Sequence, residues 1–427
     1  MISKRVVCVS KLIITGQRRL DGAAEIQGAK NSALPVLAAS VLTRGESVIC
    51  HCPDLSDVEA SLQILRYLGC DAERSGDAVV INSDGPSRFD IPDSLMRRTR
   101  GSLMFLGAVL AAGGRARLCL PGGCEIGLRP IDLHLKALRS LGAVIKERHG
   151  YIDCRAPHGL RGAQIVLPFP SVGATEDIIL AACTASGTTT ITNAAREPEV
   201  RDLADYLNRC GGKIFGAGEG EIVIDGVPKL NGCTHAIIPD RIVAATLISC
   251  AAVTGGEITL KGVIRSHLGS VITVFEDAGC TFSASGNELS VKAPEGKRLR
   301  SMKIVRTMPY PGFPTDAQAP LLAASTVADG TTVFIENIFE NRFRHTAELA
   351  RMGADIRTEG KIAVVEGVPR LYGAEVEATD LRGAAALLAA GLSAEGTTEL
   401  GGVKYLERGY ERFEQVLTSL GADVKKI

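Results

Sequence analysis

A spacing of about 70 residues repeats through the whole sequence. Six helix-like runs each end in a small-residue step, and the glycines of those steps lie 68 to 74 residues apart: Gly69, Gly142, Gly211, Gly279, Gly353 and Gly421. A second series precedes the first by 23 to 28 residues: Gly45, Gly114, Gly187, Gly255, Gly330 and Gly396. Self-similarity at a fixed spacing is typical of a chain built from copies of one supersecondary unit. Six copies of one such unit account for this chain.

Each copy has the pattern of an α/β unit. An apolar helix stops at the first glycine, as helices commonly do. A β-rich run such as TTTIT (188–192) follows, then a second helix that stops at the second glycine, then two short strands. We therefore predict an α/β fold of six βαβαββ repeats, which divide naturally into two domains of three.

Charge and composition exclude several classes of protein. The chain has 48 Lys and Arg residues against 48 Asp and Glu, so no global field attracts nucleic acid or anionic lipid. Aromatic residues make up 4% and Trp is absent, which disfavours base stacking. Apolar runs stay short of a membrane span, and Lys11 interrupts the apolar start of the chain. We expect a cytoplasmic protein that binds neither nucleic acid nor a membrane.

The twelve cysteines indicate a reduced protein rather than a disulfide or metal framework. They form no CxxC pair, and several lie in apolar runs, where cysteine behaves as a small hydrophobic residue. The glycines form neither GxGxxG nor GxxxxGK[ST], so a dinucleotide or P-loop site has no support. We expect no metal and no cofactor.

Polar residues recur at one place in the repeat. The residues fourteen positions before the glycines of the second series (Gly45 to Gly396) are Asn31, Arg100, Gly173, Arg241, Asp316 and Arg382. This position is predicted to be the first turn of the first helix, where unpaired N–H groups and the helix dipole favour an anion. Plain helix capping is an alternative for Asn31 and Asp316, but arginine has no acceptor with which to cap.

Basic residues also recur before the second helices. Arg129, Arg342 and Arg408 occupy these loops, and Pro130 is a natural first helical residue that would place Arg129 at a helix entrance. Together with Lys30, Arg100 and Arg382 they would suit a substrate that bears phosphate and carboxylate groups. The alternative is that each arginine pairs with a surface carboxylate.

Cys124 differs from the other cysteines. It lies between glycines in LPGGCEIGLRP (120–130), just before Arg129. A glycine loop gives a thiol access, and nearby cations lower its pKa. Such a thiol can act as a nucleophile or general acid, whereas an ordinary turn is the alternative explanation of the glycines.

Several long motifs resemble the UDP-N-acetylglucosamine enolpyruvyl transferases of the EPSP synthase superfamily. The motifs cover nearly the whole chain: GAKNSALP (28–35), LPGGCEIGLRPIDLH (120–134), PSVGATE (170–176), NAAREPEV (193–200), FPTDAQA (313–319), FENRFRH (339–345), ATDLRGA (378–384) and ERGYER (407–412). The resemblance implies two domains, each an inside-out α/β barrel of three repeats, with boundaries at 1–30 plus 240–427 and at 31–239. It places the active site in a cleft between them.

The resemblance also implies a reaction. The enolpyruvyl group of phosphoenolpyruvate would pass to the 3-hydroxyl of UDP-N-acetylglucosamine with release of phosphate, the first committed step of peptidoglycan synthesis. The cysteine matching Cys124 donates a proton to C3 of phosphoenolpyruvate, and the sugar hydroxyl attacks C2 to give a tetrahedral ketal. Asp316 matches the carboxylate often drawn as the base, and its place at a helix start is expected to lower its pKa. A monomer is favoured.

Roles of the remaining residues are implied by their positions in the motifs. Lys30, Arg129 and Arg408 match groups around the phosphate of phosphoenolpyruvate, with Lys30 and Arg408 counted as catalytic. Arg342 and Arg382 match groups that face its carboxylate. Two segments match the nucleotide-sugar site of the family. The uridine-binding stretch is 129–133, with Pro130, Ile131, Asp132 and Leu133, and the segment around the diphosphate is 169–173, with Phe169, Pro170, Ser171, Val172 and Gly173. Contacts to the substrates are also implied for Asn31, Arg100 and Ile338. Glu197 and Glu199 match carboxylates of the family without an assigned role.

One departure from the family pattern concerns PDRIV (239–243), which often reads PDRIE. We therefore expect Arg241 to lack one polar contact. Two rival functions stay open at this point: an enolpyruvyl transferase acting on shikimate 3-phosphate, which should lack the GGC loop and the uridine-binding stretch, and a non-catalytic repeat protein that binds a nucleotide-sugar. A thiol sensor built on Cys124 has no evident resolving cysteine nearby.

Overall fold

A computed structural model describes residues 10–119, 131–296 and 298–427. In these residues the β-strands are β1 (Leu12–Thr15), β2 (Asp21–Glu25), β3 (Thr43–Cys50), β4 (Asp71–Ser75), β5 (Ala78–Ser83), β6 (Asp90–Ile91), β7 (Arg115–Cys119), β8 (Val144–Arg148), β9 (Tyr151–Arg155), β10 (Gln164–Val166), β11 (Thr188–Thr192), β12 (Ile214–Phe215), β13 (Glu221–Asp225), β14 (Leu230–Asn231), β15 (Thr234–Ala236), β16 (Glu257–Lys261), β17 (Thr281–Ser285), β18 (Glu288–Lys292), β19 (Ile304–Arg306), β20 (Thr331–Ile335), β21 (Asp355–Glu359), β22 (Ile362–Glu366), β23 (Glu375–Glu377), β24 (Thr397–Gly401) and β25 (Asp423–Lys426).

The α-helices alternate with these strands. They are α1 (Lys30–Ala39), α2 (Ser56–Leu68), α3 (Asp93–Met96), α4 (Phe105–Gly113), α5 (Asp132–Ser140), α6 (Val172–Ala182), α7 (Pro198–Arg209), α8 (Arg241–Val253), α9 (Gly269–Asp277), α10 (Thr315–Ser325), α11 (Thr346–Arg351), α12 (Leu381–Ser393), α13 (Val403–Leu406) and α14 (Phe413–Ser419). Short 3₁₀ turns cover Ser40–Leu42, Arg100–Met104 and Arg265–Leu268.

Contacts divide the described residues into two units. We call residues 27–119 and 131–240 the N-terminal unit, and residues 10–26 and 241–427 the C-terminal unit. Each unit has its own hydrophobic core and three sheets. The strand orders are β14-β3-β5-β4 with β15 also on β3, β6-β7-β9-β8 and β10-β11-β13-β12 in the N-terminal unit, and β2-β16-β18-β17, β19-β20-β22-β21 and β23-β24-β1-β25 in the C-terminal unit.

One pairing pattern recurs in these sheets. In the sheet of the third repeat, β10 and β11 are parallel, whereas β13 runs antiparallel to both β11 and β12. The parallel pair is joined through a helix and the antiparallel pair through a short turn, as each type of pairing requires. The predicted βαβαββ repeat is confirmed.

In each unit, a strand from the beginning of the unit's sequence pairs with strands from its end. In the N-terminal unit the last two strands pair in parallel with β3, β14 with its beginning and β15 with its end. In the C-terminal unit β2 pairs in parallel with β16, while β1 lies between β24 and β25. These pairings join parts of the chain that are distant in sequence, so removing either end of a unit would remove strands from one of its sheets.

The first helix of each repeat lies inside its unit. All residues of α8 from 242 to 252, and all residues of α12 from 382 to 392, are buried. Helix α10 contacts both α8 and α12, and α4 contacts both α1 and α6. A helix that is apolar all round is stable only when other elements surround it, which explains why these helices are inside and the half-exposed sheets are outside.

The twelve repeat glycines all have positive φ, between 65° and 102°. Glycine adopts this conformation without a Cβ clash. The later glycine of each repeat lies within two residues of a helix end, as predicted, whereas α6 and α10 end five residues before the earlier glycines Gly187 and Gly330. The first repeat differs, because α1 passes into the 3₁₀ turn at Ser40–Leu42 and Gly45 lies inside β3. In the described residues, no helix has the length and hydropathy needed to cross a membrane.

Candidate functional site

Asp316 is the centre of a buried charge cluster in the C-terminal unit. Its Oδ1 accepts a hydrogen bond from Arg342 Nη2 at 2.7 Å, and its Oδ2 accepts one from Arg382 Nη2 at 2.9 Å. The side chain of Asp316 is 26% exposed, whereas those of Arg342 and Arg382 are 3% and 4% exposed. Arg342 and Arg382, which are 40 positions apart, therefore bind the same carboxylate. Asp316 is the member of the cluster that is most exposed to solvent.

The pKa of Asp316 is set by opposing effects. Burial raises the pKa of this carboxyl, but the charges and hydrogen bonds of Arg382 and Arg342 outweigh burial and hold it well below its usual range. The predicted direction is confirmed, and the charges of Arg382 and Arg342 are its main cause. Such a carboxylate is ionised throughout the neutral range.

Each arginine is held in place by a second contact. Arg382 Nη1 donates to Tyr410 Oη at 3.2 Å, and Tyr410 pairs in turn with Thr246 Oγ1 at 2.9 Å. Arg342 donates to the carbonyl of Thr315 through Nε at 3.3 Å and Nη2 at 3.0 Å. A guanidinium carries five N–H donors, so its bond to Asp316 does not prevent it from binding a second carboxylate.

The alternatives for these residues can now be decided. Asp316 is the second residue of α10, and the N-cap is Pro314, so Asp316 does not occupy the capping position. Helix α12 is capped by Asp380, whose Oδ1 accepts the N–H groups of Arg382 and Gly383 at 3.0 Å each. Pairing with a surface carboxylate also fails as an explanation for Arg342 and Arg382, because both guanidinium groups are buried.

Arg408 and Ile338 lie near this cluster in the chain. Arg408 is half-buried, two residues after the end of α13 and two residues before Tyr410. Ile338 follows β20, and its N–H donates to Glu336 Oε1 at 2.7 Å. Arg241, at the start of α8, lies over the ring of Tyr310 with its Cζ 5.4 Å from the ring centroid.

Lys30 is a second buried charge, in the N-terminal unit. It begins α1, and its ammonium lies 2.7 Å from Asp57 Oδ2 on α2. Its backbone N–H donates to Asp240 Oδ2 at 3.2 Å. Both carboxylates are buried, so two distant acidic residues fix the only lysine for which the sequence predicts a substrate role.

Removing the partner of Lys30 should destabilise the protein strongly. We expect Asp57→Ala to lower the free energy of unfolding by about 3–5 kcal/mol, because it leaves a buried ammonium without its carboxylate. Urea unfolding followed by circular dichroism measures this. Glu59→Ala on the same helix is the control: Glu59 pairs with Arg66 at the surface, and its loss should cost less than about 1 kcal/mol. Equal losses in both variants would contradict the assignment.

The remaining predicted residues at helix starts behave differently from one another. Asn31 is the exposed second residue of α1, one position inside the helix, and the N-cap is Ala29, so Asn31 does not occupy the capping position. Arg100 is not in the first turn of α4 as predicted. It begins a 3₁₀ turn, Arg100–Met104, because Thr99 caps that turn through a bond from Gly101 N.

His134 joins two predicted nucleotide-sugar segments. Its Nδ1 lies 3.2 Å from Asp177 Oδ2, and Asp177 Oδ1 accepts the N–H of Gly107 at 2.7 Å. A Cβ placed on Gly173 would lie 3.3 Å from His134 Nε2. The first turn of α5, with Ile131, Asp132 and Leu133, is therefore brought beside the first turn of α6.

The segment 169–173 forms the entrance to α6. Phe169 is exposed, and Pro170, Ser171, Val172 and Gly173 are half-buried. Ser171 Oγ accepts the N–H of Ala174 at 3.4 Å and so caps the helix. The first N–H groups of α6 form the positive end of the helix dipole at this segment.

Three predicted residues, Cys124, Arg129 and Pro130, lie outside the described residues. Helix α5 begins at Asp132, after the position at which Pro130 predicts a first helical residue. Glu197 is the N-cap of α7, and Glu199 lies in its first turn. Burial, and then the charges of Glu199 and Glu197, raise the pKa of Glu176 well above its usual range.

Sequence reasoning missed three residues of these clusters. Asp57 and Glu336 are buried carboxylates whose partners are distant in sequence. The only feature of the sequence that could have indicated them is an acidic residue next to an apolar run. Tyr410 lies inside the motif ERGYER (407–412), so the resemblance contained it without giving it a role.

Comparison with known proteins places the chain among the carboxyvinyltransferases. The family model described as EPSP synthase (3-phosphoshikimate 1-carboxyvinyltransferase) matches residues 14–417. UDP-N-acetylglucosamine 1-carboxyvinyltransferase 2 of Caldanaerobacter subterraneus subsp. tengcongensis is 48% identical over 98% of this chain and 100% of its own length. The enzyme named UDP-N-acetylglucosamine 1-carboxyvinyltransferase of Myxococcus xanthus is 46% identical over 98% of this chain and 99% of its own length.

Solved structures share the fold. The enolpyruvyl transferase NikO from Streptomyces tendae has a TM-score of 0.88 and 26% identity, covering 98% of this chain and 99% of its own. EPSP synthase from Acinetobacter baumannii has a TM-score of 0.72 and 22% identity over 98% and 100% of the two chains, which bears on the fold alone. From its sequence relatives and its fold together, this chain belongs to the EPSP synthase family and, within it, to the UDP-N-acetylglucosamine 1-carboxyvinyltransferases.

Proposed function

We propose that this protein transfers the enolpyruvyl group of phosphoenolpyruvate to the 3-hydroxyl of UDP-N-acetylglucosamine, with release of phosphate. The observation that carries the proposal is the similarity, at 46–48% identity over nearly the full length, to enzymes with this name. The conservation of fold in the enolpyruvyl transferase NikO supports the reaction class. The reaction is a step of peptidoglycan synthesis.

Phosphoenolpyruvate carries a carboxylate and a phosphate, and the basic residues divide between them. Arg342 and Arg382 bind the carboxylate in this proposal, which their shared position around Asp316 supports, because planar guanidinium groups pair with carboxylates bidentately. Lys30, Arg129 and Arg408 bind the phosphate. The fixed ammonium of Lys30 supports this, since a point charge suits a phosphate oxygen.

The nucleotide-sugar has a uridine, a diphosphate and a sugar to be recognised. We assign the uridine to 129–133 and the diphosphate to 169–173, which the contact of His134 with both helix starts supports. The α6 N-terminus offers N–H groups and a positive dipole end to an anion. Asn31, Arg100, Ile338 and Asp316 contact the sugar end and phosphoenolpyruvate in this scheme.

The chemistry is addition followed by elimination. Cys124 protonates C3 of phosphoenolpyruvate, and C2 becomes electrophilic. The sugar 3-hydroxyl attacks C2 and loses its proton to Asp316, which gives a tetrahedral ketal that still carries phosphate. Loss of a proton from C3 and departure of phosphate from C2 then regenerate the enol double bond in the product.

Further parts of the proposal concern the protein as a whole. We propose domains at 1–30 plus 240–427 and at 31–239. The division of contacts into two units supports this grouping, although the units change at Gln27 and at Arg241, so that Lys30 belongs to the N-terminal unit. We also propose a cytoplasmic monomer whose product serves cell wall biogenesis, and through it cell shape and cell division.

Phosphate release tests the function directly. The purified protein is mixed with phosphoenolpyruvate and UDP-N-acetylglucosamine, and a parallel reaction replaces the nucleotide-sugar with shikimate 3-phosphate. We expect release only with the nucleotide-sugar. Release with shikimate 3-phosphate alone would show that the proposed acceptor is wrong but that the reaction class is right. If the folded protein releases no phosphate in either reaction, a protein that only binds a nucleotide-sugar would be favoured.

A further inference from the structure

Glu336 is a fully buried carboxylate that the scheme above leaves without a role. It follows β20, and its side chain is 1% exposed. Its Oε1 accepts hydrogen bonds from Thr307 Oγ1 at 2.9 Å, Ile338 N at 2.7 Å and Phe339 N at 3.0 Å. Its Oε2 accepts one from Thr315 Oγ1 at 2.9 Å. Four donors on one carboxylate compensate its burial, as an isolated buried charge would not be tolerated.

These four bonds tie together three separate segments. Thr307 follows β19, Thr315 begins α10, and Ile338 with Phe339 forms the loop after β20. Thr307 also accepts the N–H of Asn337 at 2.9 Å, which fastens the same loop a second time. The carboxylate therefore sets where the loop lies relative to the start of α10.

The start of α10 carries the proposed reactive group. Thr315 immediately precedes Asp316, and the carbonyl of Thr315 accepts the guanidinium of Arg342. Glu336 thus fixes, through Thr315 and the loop, both the residue before Asp316 and the backbone of Ile338. These are the two residues of this unit assigned to the sugar-nucleotide, whereas Arg382 is held separately by Tyr410.

We propose that Glu336 is a positioning residue that sets the affinity for the nucleotide-sugar by holding Asp316 and the 338–339 loop in one arrangement. This inference rests on the proposed function. We expect the larger effect on the nucleotide-sugar, because of the two arginines assigned to phosphoenolpyruvate only Arg342 bonds to Thr315, whereas Arg382 is held by Tyr410. The inference also attributes the effect to hydrogen bonds and not to net charge, since the carboxylate accepts four donors and pairs with no cation among the described residues.

Steady-state kinetics of Glu336→Ala test the proposal. We expect the KM for UDP-N-acetylglucosamine to rise about 10-fold or more, since two backbone N–H groups and two hydroxyls lose their acceptor, while the KM for phosphoenolpyruvate changes less than about 3-fold. Glu336→Gln should restore both values to within about 3-fold. Its amide oxygen can accept from the loop, and its amide nitrogen can donate to the hydroxyl of Thr315.

Two further variants keep the test decisive. Thr315→Val removes only the bond to Oε2, and we expect a rise of several-fold in the same KM even if Glu336→Ala fails to fold. Glu366→Ala is the matched control, because Glu366 lies in β22 of the same sheet and accepts a hydrogen bond from Thr331 at the surface. It should leave both KM values unchanged.

The outcomes distinguish this inference from the function on which it rests. Equal rises in both KM values, a glutamine variant as impaired as the alanine variant, or an unchanged KM in Thr315→Val would overturn the positioning role. Failure of the unmodified protein to release phosphate from phosphoenolpyruvate and UDP-N-acetylglucosamine would overturn the function instead. Calorimetric titration with UDP-N-acetylglucosamine alone should show the same weakened binding in Glu336→Ala.

Discussion

Asp316→Asn should lower kcat by about 10²-fold or more without raising the KM for phosphoenolpyruvate. Asparagine has nearly the same shape but cannot take up the proton of the sugar hydroxyl, and positioned proton transfer typically contributes 10²–10⁴-fold to a rate. Arg342 and Arg382 lose a competing carboxylate in this variant, so the carboxylate of phosphoenolpyruvate should bind them at least as well. Initial rates of phosphate release, with each substrate varied in turn, measure both quantities.

The depressed pKa of Asp316 also determines how pH should act. A carboxyl whose pKa is lowered in the folded state contributes stability above its unfolded pKa, about 3.9, and loses it as pH falls through the lower folded value. Protonation of Asp316 therefore cannot cause a loss of activity between pH 5 and pH 7. The two guanidinium groups that lower the pKa also make Asp316 a weak base. A substrate carboxylate bound to these guanidinium groups would neutralise part of their charge and so raise the basicity of Asp316.

A control for this variant lies beyond the other end of the same helix. Asp329 is exposed four residues after the end of α10, and Asp329→Asn should leave kcat and both KM values unchanged. An Asp316→Asn variant with undiminished kcat would exclude this carboxylate as the base. If only the KM for phosphoenolpyruvate rises, Asp316 would contribute to substrate binding and not to proton transfer.

The fold could be predicted because its signals are local. Each glycine such as Gly69 or Gly353 occupies a backbone conformation that strongly favours glycine, so the period of the glycines is the period of the structure. Local signals fail where neighbouring elements intervene. Arg100 begins a 3₁₀ turn instead of a helix because Thr99 caps that turn, and β3 extends through Gly45 because β5 and β14 pair with it.

The site could be predicted only in part, because its partners are distant in sequence. The motifs contain Asp316, Arg342 and Arg382, but only the fold shows that one carboxylate binds both arginines. Lys30 and Asp57 are 27 residues apart and on different helices. The four bonds of Glu336 reach back as far as Thr307, and no periodic pattern encodes such a network.

The buried cysteines narrow the choice of the proton donor. Burial raises the pKa of Cys154, Cys183, Cys250 and Cys280 to about 12 each. A thiol with this pKa is a poor acid at neutral pH, and its burial keeps substrates away. These four cysteines are therefore unsuited to donate a proton to phosphoenolpyruvate, which strengthens the assignment of that step to Cys124.

We expect Cys124→Ser to abolish most of the turnover, with kcat reduced about 10²-fold or more, while the affinity for UDP-N-acetylglucosamine stays nearly intact. A serine hydroxyl is a far weaker acid than a thiol, and general acid catalysis contributes roughly 10²–10⁴-fold. Phosphate release measures turnover, and calorimetric titration measures the affinity. Cys124→Asp should retain more activity than Cys124→Ser, because a carboxylic acid can also donate a proton.

Cys50→Ser provides the matched control, since Cys50 is half-buried in β3 of the N-terminal unit and is assigned no part in the reaction. It should retain full turnover. Undiminished kcat in Cys124→Ser would exclude this thiol as the required acid. Loss of activity in Cys124→Ser together with greatly weakened nucleotide-sugar binding would mean that Cys124 acts on the structure of the binding site and not as the proton donor.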